Sequence, residues 1–466
     1  MYLCAMTQLD DTIVAVSTPP GVGAIGVIRV SGPQAIALVN RHFSRDLSQT
    51  PGQRLVYGRL LDRQGEVLDE VVLGLFRAPK SFTRQDVVEI SCHGSPFILR
   101  RVMEELVAAG ARPASAGEFT QRAFLNGAMD LAQAEAVADL IAATSPGAHR
   151  LALDQLRGGV SSELKSLREE LLNFTSLIEL ELDFGEEDVE FADRGQLTEL
   201  IGRLAGRLDR LIDSFGLGNA LKQGVPTVIL GKPNAGKSTL LNALLNDNRA
   251  IVSDIPGTTR DAIEDRLVIG GIEFRLIDTA GVREASDLIE AEGVQRTLAL
   301  ARKAQLVVYL FDAREETPEA AEAFLASLDL DADFIAVANK ADLLDDPVAY
   351  RQEHDNVQSS RFPWLLISAR EGQQLDALRD QMVATVERLS ATTPDDTLIS
   401  SVRHLHALKQ ARTALRDVQQ GLGLGISGDL LAIDIRTVLH HIGEITGEIS
   451  TEEVLGNIFS KFCIGK

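Results

Sequence analysis

The chain has 466 residues, 45% hydrophobic and 24% charged, which is ordinary globular material long enough for about three domains. A formal net charge of −21 excludes a large general affinity for nucleic-acid backbone, so any RNA contact needs a local basic patch or a partner. Three distant cysteines, Cys4, Cys92 and Cys463, argue against a disulfide framework or zinc site and for a reducing compartment.

The start, Met1 to Val16, carries Asp10 and Asp11 and no basic segment, so it does not read as a secretion signal. No apolar run approaches the roughly 18 residues of a membrane span. The expected location is cytoplasmic. From Asp11 to about Phe119 the pattern is strand-rich. Strands are expected at Thr12–Ser17, Ala24–Val30, Leu55–Leu61, Glu70–Phe76 and Val87–Ser91, with helices at Pro33–His42 and Pro96–Ala109, a compact α+β region. Gly21, Gly23 and Gly26 satisfy G-x-G-x-x-G, but a dinucleotide fingerprint must open a helix, and Val27–Val30 reads as a strand.

From Gly117 the texture becomes helical. Asp130–Thr144 is Ala-rich, with Leu131, Ala134, Val137, Ala138 and Ile141 on one face. Helical spacing continues from Pro146 to Leu182. The acidic run Glu179–Glu190 lacks the alternating ligands and central glycine of a calcium loop and reads as a solvated connection. A further helix, Arg194–Phe215, leads through Gly216 and Gly218 into the most specific stretch of the chain.

That stretch is Gly231-Lys232-Pro233-Asn234-Ala235-Gly236-Lys237-Ser238, a complete G-x-x-x-x-G-K-[ST] phosphate loop. Val225–Leu230 before it reads as a buried strand, and Thr239–Leu245 after it has helical spacing. In this pattern Lys237 reaches the outer phosphates and Ser238 holds Mg²⁺. Asp278-Thr279-Ala280-Gly281 follows an apolar strand at Phe274–Ile277. Asn339-Lys340-Ala341-Asp342 follows another at Phe334–Ala338, and an aspartate there suits the paired N–H donors of guanine. Ser368-Ala369-Arg370 follows a third strand, Pro363–Ile367, and would back the base. Four motifs in order, each at a strand end, point to a guanine-nucleotide domain.

After Glu371-Gly372 helices return at Leu375–Ser390, Ser400–Gly421 and Asp429–Thr446, so the nucleotide domain reads as inserted into one helical domain. His404, His406, His440 and His441 do not share helix faces at these spacings, which disfavours a metal site. The chain ends Phe459-Ser460-Lys461-Phe462-Cys463-Ile464-Gly465-Lys466. Gly465 and Lys466 rule out a prenylation box. A frayed tail and a reactive thiol on a mobile tail both remain open from the residues alone.

These segments resemble the tRNA-modification GTPase family MnmE, also called TrmE, nearly end to end. The resemblance is carried by TPPG-x-G-x-x-G-x-x-R at 18–29, GEF-x-x-RAFLN at 117–126, DLAQAEA at 130–136 and GKPNAGKSTLLNALL at 231–245. GTTRD at 257–261, DTAG-x-RE at 278–284, EITGE at 444–448 and the terminal FCIGK complete it. It implies a multidomain α+β and α/β fold. The expected parts are an N-terminal folate-binding-like and dimerising domain at 1–124, a helical domain at 125–220 and 389–466, and a Ras-like P-loop GTPase domain at 221–388 inserted between them. It implies work with an FAD-containing MnmG-type partner to install an aminomethyl or carboxymethylaminomethyl group at C5 of the wobble uridine of certain tRNAs. A homodimer, GTP, Mg²⁺, K⁺ and a tetrahydrofolate derivative of 5-formyl or 5,10-methylene type belong to that picture.

Residue by residue, the resemblance assigns nucleotide contacts to Asn234, Ala235, Gly236, Lys237, Ser238 and Thr239 and to Ser253, Asp254, Ile255, Pro256, Gly257, Thr258 and Thr259. Asp278, Thr279, Ala280, Gly281, Asn339, Lys340, Asp342, Ser368, Ala369 and Arg370 join them. Mg²⁺ falls to Ser238 and Thr259, and K⁺ to Asn234, Ser253, Ile255 and Thr258. Val282 stands where a Ras-type protein has a water-orienting Gln, and it cannot do that work. Glu290 matches the family's substitute. Arg29, Glu89 and Lys466 match folate positions, and Cys463 a cysteine the family requires. Ala128 stands where the family commonly has a Lys, so one cationic contact is missing unless Arg122 or another base compensates.

Overall fold

The structure is a computed structural model that describes residues 10–183, 194–245, 265–277, 301–328, 330, 332–354, 362–389 and 397–465. By contact it divides into two units, Met1–Ala138 with Gly443–Lys466, and Asp139–Ile442. The architecture is the expected multidomain mix of α+β and α/β.

The first unit is built on a mostly antiparallel sheet in the order β3-β4-β5-β2-β1-β6. Its strands are β1 (Ile13–Val16), β2 (Ile25–Ser31), β3 (Arg54–Leu61), β4 (Val67–Phe76), β5 (Val87–His93) and β6 (Arg112–Pro113). Alternation drives it: Ile28, Val30, Leu73, Leu75, Val88 and Ile90 are fully buried at every second position. They form one core with residues of α1 (Ala35–Asn40) and α2 (Pro96–Ala108). Gly26 lies inside β2 and not at a helix start. Two further helices, α3 (Glu118–Leu125) and α4 (Leu131–Ala142), follow the sheet.

α3 carries one side of a half-buried ion network. Arg122 is only 1% exposed and donates to Asp11, to Glu118 (2.9 Å) and to the Asp11 carbonyl (2.7 Å), while Arg112 also pairs with Asp11 (2.6 Å) and Glu118. Burial opposes ionisation of Glu118 and Asp11, but hydrogen bonds from Arg112 and Arg122 outweigh it and hold both carboxyls below their ordinary values.

The second unit begins with helices α5 (Pro146–Leu156), α6 (Gly159–Asp183), α7 (Arg194–Asp213) and α8 (Phe215–Gln223). Ser145 caps α5 by accepting from the Ala148 N–H, and Pro146 takes the position where a missing N–H costs nothing. The continuous helix expected over Pro146–Leu182 is broken at Gly158, whose φ of 91° lies in the left-handed region. Likewise the helix at Arg194 stops at Asp213, and Gly216 and Gly218 lie inside a separate helix rather than a linker. Gly218 is needed there because a Cβ would come 2.2 Å from the Ile399 carbonyl.

A second sheet follows in the order β12-β11-β10-β7-β9-β8, parallel except for the β8–β9 hairpin. Its strands are β7 (Val225–Leu230), β8 (Asp265–Ile269), β9 (Ile272–Leu276), β10 (Leu306–Asp312), β11 (Asp333–Asn339) and β12 (Trp364–Leu366). The helices α9 (Lys237–Leu245), α10 (Pro318–Ser327), α11 (Pro347–Glu353) and α12 (Leu375–Glu387) accompany it. β10 is buried at all seven positions, the pattern of a central parallel strand covered on both faces. Helices α13 (Val402–Leu424) and α14 (Gly428–Thr446) close the unit; α13 packs on α7, tied by Arg412–Asp209 at 2.8 Å. Among the described residues no helix is long and apolar enough to cross a membrane.

A carboxylate held below its unfolded value contributes stability that is present above that value and lost as pH falls through the folded one. The first unit should therefore lose stability as pH drops below about 4.5. Arg122→Met should cost about 3 kcal/mol at neutral pH and flatten that acid dependence. Denaturant titrations at several pH values check this; equal slopes for the two proteins would contradict the network's role.

Candidate functional site

β7 is paired in parallel with β10 on one side and β9 on the other, so its C-terminal end opens at the sheet edge where open α/β sheets bind ligands. Gly231 is the first residue past it, at φ 152°, and a Cβ there would lie 2.0 Å from the Leu310 carbonyl. Only glycine lets the loop leave the strand so close to β10. Asn234 turns the loop in the left-handed region at φ 63°, and Gly236 at φ 100° approaches the Asn339 amide so closely that a Cβ would come within 2.4 Å. The helix α9 then opens at Lys237, two residues earlier than its hydrophobic spacing indicates, which puts Ser238 and Thr239 in its first turn.

The Lys237 ammonium donates to the carbonyls of Gly231 (2.7 Å) and Lys232 (2.9 Å). Burial, with only neutral carbonyls as these partners, lowers its pKa. A desolvated cation so held fits an anionic phosphate chain. Ala235 is buried, and its carbonyl accepts from Asn339 Nδ2 at 2.8 Å.

Asn339 is the hinge of the arrangement. Its other amide atom, Oδ1, accepts from the Ala369 N–H at 3.0 Å, so one side chain joins the phosphate loop to the Ser368-Ala369-Arg370 loop. Ser368 is fully buried, donates to the Asp342 carboxylate, and accepts from the Glu371 N–H at 3.1 Å. Asp342 itself is exposed beyond the end of β11, and Arg370 is exposed on the facing loop. Lys340, at φ 67°, reaches back to Asp312 at 2.8 Å.

Asp312 is the residue that sequence reasoning missed. It closes β10 directly opposite Asn339. Hydrogen bonds from Arg314 and then Lys340 outweigh its burial and hold it well below the usual carboxylate range. The available signal was a carboxylate ending an otherwise apolar seven-residue strand. The expected contacts at Ser253, Asp254, Ile255, Pro256, Gly257, Thr258, Thr259, Asp278, Thr279, Ala280, Gly281 and Glu290 lie outside the described residues, as does Lys466.

In the first unit Arg29 and Glu89 face each other across β2 and β5 and pair at 2.8 Å. The Arg29 guanidinium also lies 5.4 Å from the Phe82 ring centroid and 5.6 Å from that of Phe119. The C-terminal tail comes to this pair and is not frayed. After α15 (Glu452–Phe459), Phe459 and Phe462 bury against Leu131 and Ala134, and Ile464 bridges to Ala116. The Gly465 carbonyl accepts from Ser17 at 3.1 Å and Arg29 at 3.4 Å. Gly117, at φ 67°, leaves room for the Phe459 carbonyl, which a Cβ would approach to 2.6 Å. The result is an exposed Cys463 on an anchored segment, whereas burial pushes the Cys92 thiol up to about 11. Arg122, the base considered as a substitute for a Lys at Ala128, is buried and paired with Asp11 and Glu118. His404 is buried beside Arg403, and the His440 and His441 ring centroids are 5.4 Å apart on α14.

Two family models match the chain, the MnmE helical domain at residues 131–463 and the GTP-binding protein TrmE N-terminus at 12–128. It is 51% identical to the tRNA modification GTPase MnmE of Cytophaga hutchinsonii over all of both chains. It is 47% identical to that of Christiangramia forsetii, with 98% of this chain and all of that one covered. The Bacteroides thetaiotaomicron protein of the same name is 49% identical at the same coverage. The T. maritima FeoB G domain is 24% identical over 34% of this chain and 97% of that one, at a TM-score of 0.24. Fold and site together define a phosphate-loop protein with an added α+β unit. The chain belongs to the MnmE family of tRNA modification GTPases.

Asn339→Ala removes both hydrogen bonds that join the two loops, and each is worth about 1 kcal/mol. The variant should melt earlier and lose guanine-nucleotide affinity by at least about tenfold. Thermal unfolding and nucleotide titration check it; unchanged affinity would contradict the bridging role.

Proposed function

We propose that the chain hydrolyses GTP and couples that cycle to modification of the wobble uridine of tRNA. The observation that carries the reading is the phosphate loop with its desolvated Lys237, joined through Asn339 to an Asp342 whose carboxylate Ser368 orients. Asp342 would accept from the two N–H donors on the edge of guanine, which adenine lacks. Lys237 would exchange its loop carbonyls for the outer phosphate oxygens. Ser238, with Thr259, would hold Mg²⁺, and Asn234 with Ser253, Ile255 and Thr258 would hold K⁺. These residues supply oxygen donors of the kind hard cations take, and such cations offset charge on the phosphate oxygens. Glu290 would orient the attacking water, the role Val282 cannot fill.

In the first unit, Arg29 and Glu89, with Lys466 one residue beyond the anchored Gly465, would receive a tetrahydrofolate derivative of 5-formyl or 5,10-methylene type. Cys463 would face that ligand. The unit would dimerise, and an FAD-containing MnmG-type subunit would complete the addition of the aminomethyl-type group in the cytoplasm. The net charge of −21 supports delivery of tRNA by such a partner, since the chain has little general affinity for a polyanion.

Glu290→Ala should lower kcat for GTP by two orders of magnitude or more, about 3 kcal/mol or above, and leave GTP affinity nearly intact. Steady-state turnover with nucleotide titration tests it, and near-normal turnover would remove Glu290 from the mechanism. With Arg122 sequestered, Ala128→Lys should tighten folate binding by roughly fivefold, the worth of one exposed charge pair. No gain in a calorimetric titration would show that another base already serves.

A further inference from the structure

The β8–β9 hairpin stands between the two segments expected to sense the nucleotide. Its first residue, Asp265, is four positions after the end of GTTRD, and its last, Leu276, is two before Asp278. At its base β9 pairs with β7, Thr227 opposite Leu276, beside the strand that feeds the phosphate loop. The hairpin turns through Gly270 (φ 59°) and Gly271 (φ 85°), a two-residue turn that only such residues make tightly.

The other end of the hairpin is held by the start of α5 and by α12. The Gly271 carbonyl accepts from the Gly147 N–H at 2.9 Å, in the first turn of α5. A Cβ on Gly147 would lie 2.5 Å from that carbonyl, and one on Gly270 would lie 2.8 Å from Val383 of α12. Two residues further on, Glu273 is 4% exposed; it accepts from the Thr144 hydroxyl and pairs with Arg266 at 3.4 Å. Thr144 immediately precedes the Ser145 cap of α5, so both contacts converge on one helix start.

Space surrounds this joint. A cavity of about 500 Å³ is lined by Arg150, Asp154, Leu217, Gly270 and Gly271, and a second of about 270 Å³ by Thr144, Lys222, Arg266, Glu273 and Arg275. One cavity adjoins the turn and the other the middle of the hairpin, so a two-stranded rod held at both ends has room along part of its length to shift as a body. Packed interiors lack such room.

We infer that the β8–β9 hairpin is the element that carries nucleotide state to the helices, with Thr144 and Gly147 as the positioning residues that receive it. The inference rests on the GTPase reading above. A shift of the rod changes the Thr144–Glu273 and Gly147–Gly271 hydrogen bonds together and so reorients the start of α5. Neither residue belongs to the phosphate-loop or base-side motifs, so both act on coupling and not on binding.

The test uses the full chain with GDP and with a non-hydrolysable GTP analogue, reading amide hydrogen exchange across residues 146–156. The wild type should exchange differently in the two states. Thr144→Val, which removes the hydroxyl at nearly constant volume, should keep both nucleotide affinities within about threefold yet shrink that difference by about tenfold, the ordinary size of an allosteric coupling. Thr144→Ser keeps the hydroxyl and should keep the difference. Glu273→Gln serves as an independent second break should Thr144→Val fold poorly, with the same expected loss. The inference is overturned if the wild type binds both nucleotides without any exchange difference, or if the difference survives in Thr144→Val and Glu273→Gln. Failure of either nucleotide to bind the wild type would instead remove the GTPase reading on which the inference stands.

Discussion

Everything at the ligand end of the second unit depends on how closely the ends of β7, β10 and β11 approach one another. Gly231 passes the Leu310 carbonyl with no room for a Cβ, and Gly236 passes the Asn339 amide in the same way. That crowding lets a single side chain, Asn339, hold a carbonyl of one loop and an N–H of another. Preorganisation follows from the geometry. The phosphate loop and the base-side loop cannot drift apart without breaking buried hydrogen bonds, and unmade buried bonds are costly. Asp312, the last residue of β10, pairs with Lys340 just past β11 and with Arg314, which ties the same strand ends.

The first unit solves a comparable problem with its own C-terminal tail. A short peptide end is ordinarily mobile. Here two phenylalanines bury, a backbone bridge forms to Ala116, and the Gly465 carbonyl takes donors from Ser17 and Arg29. Gly117 makes the approach possible, since its left-handed conformation and missing side chain admit the Phe459 carbonyl. A cysteine is thus exposed on an anchored segment close in sequence to the residue that contacts Arg29. A thiol meant to meet a bound ligand needs that combination of access and fixed position.

The parts that were legible in the chain were the local ones. The phosphate loop, the strand before it and the strand-end motifs each occupy a few consecutive residues, and their turn chemistry demands particular amino acids. Alternation of apolar residues located five strands of the first unit to within a few positions, and the two-residue β6 was not expected. What was not legible depends on distant pairs. Asp312 matters only because the β10–β11 register sets it opposite Asn339. Arg122 looked available as a ligand until the fold brought it to Asp11, 111 positions away. The break at Gly158 is a left-handed glycine turn, a local signal that the hydrophobic spacing does not carry. The helix through Gly216 and Gly218 reverses what local propensity suggests, because a carbonyl packed against Gly218 decides there. The anchored tail likewise rests on contacts several hundred residues apart, which no local pattern encodes.

The measurement that bears most directly on the central claim is mass spectrometry of tRNA nucleosides from cells with and without this chain. The account predicts that C5-substituted wobble uridines vanish on deletion and return with the wild type but not with Cys463→Ser. Nucleosides unchanged by deletion would contradict the proposed function. Full restoration by the serine variant would take the anchored cysteine out of it.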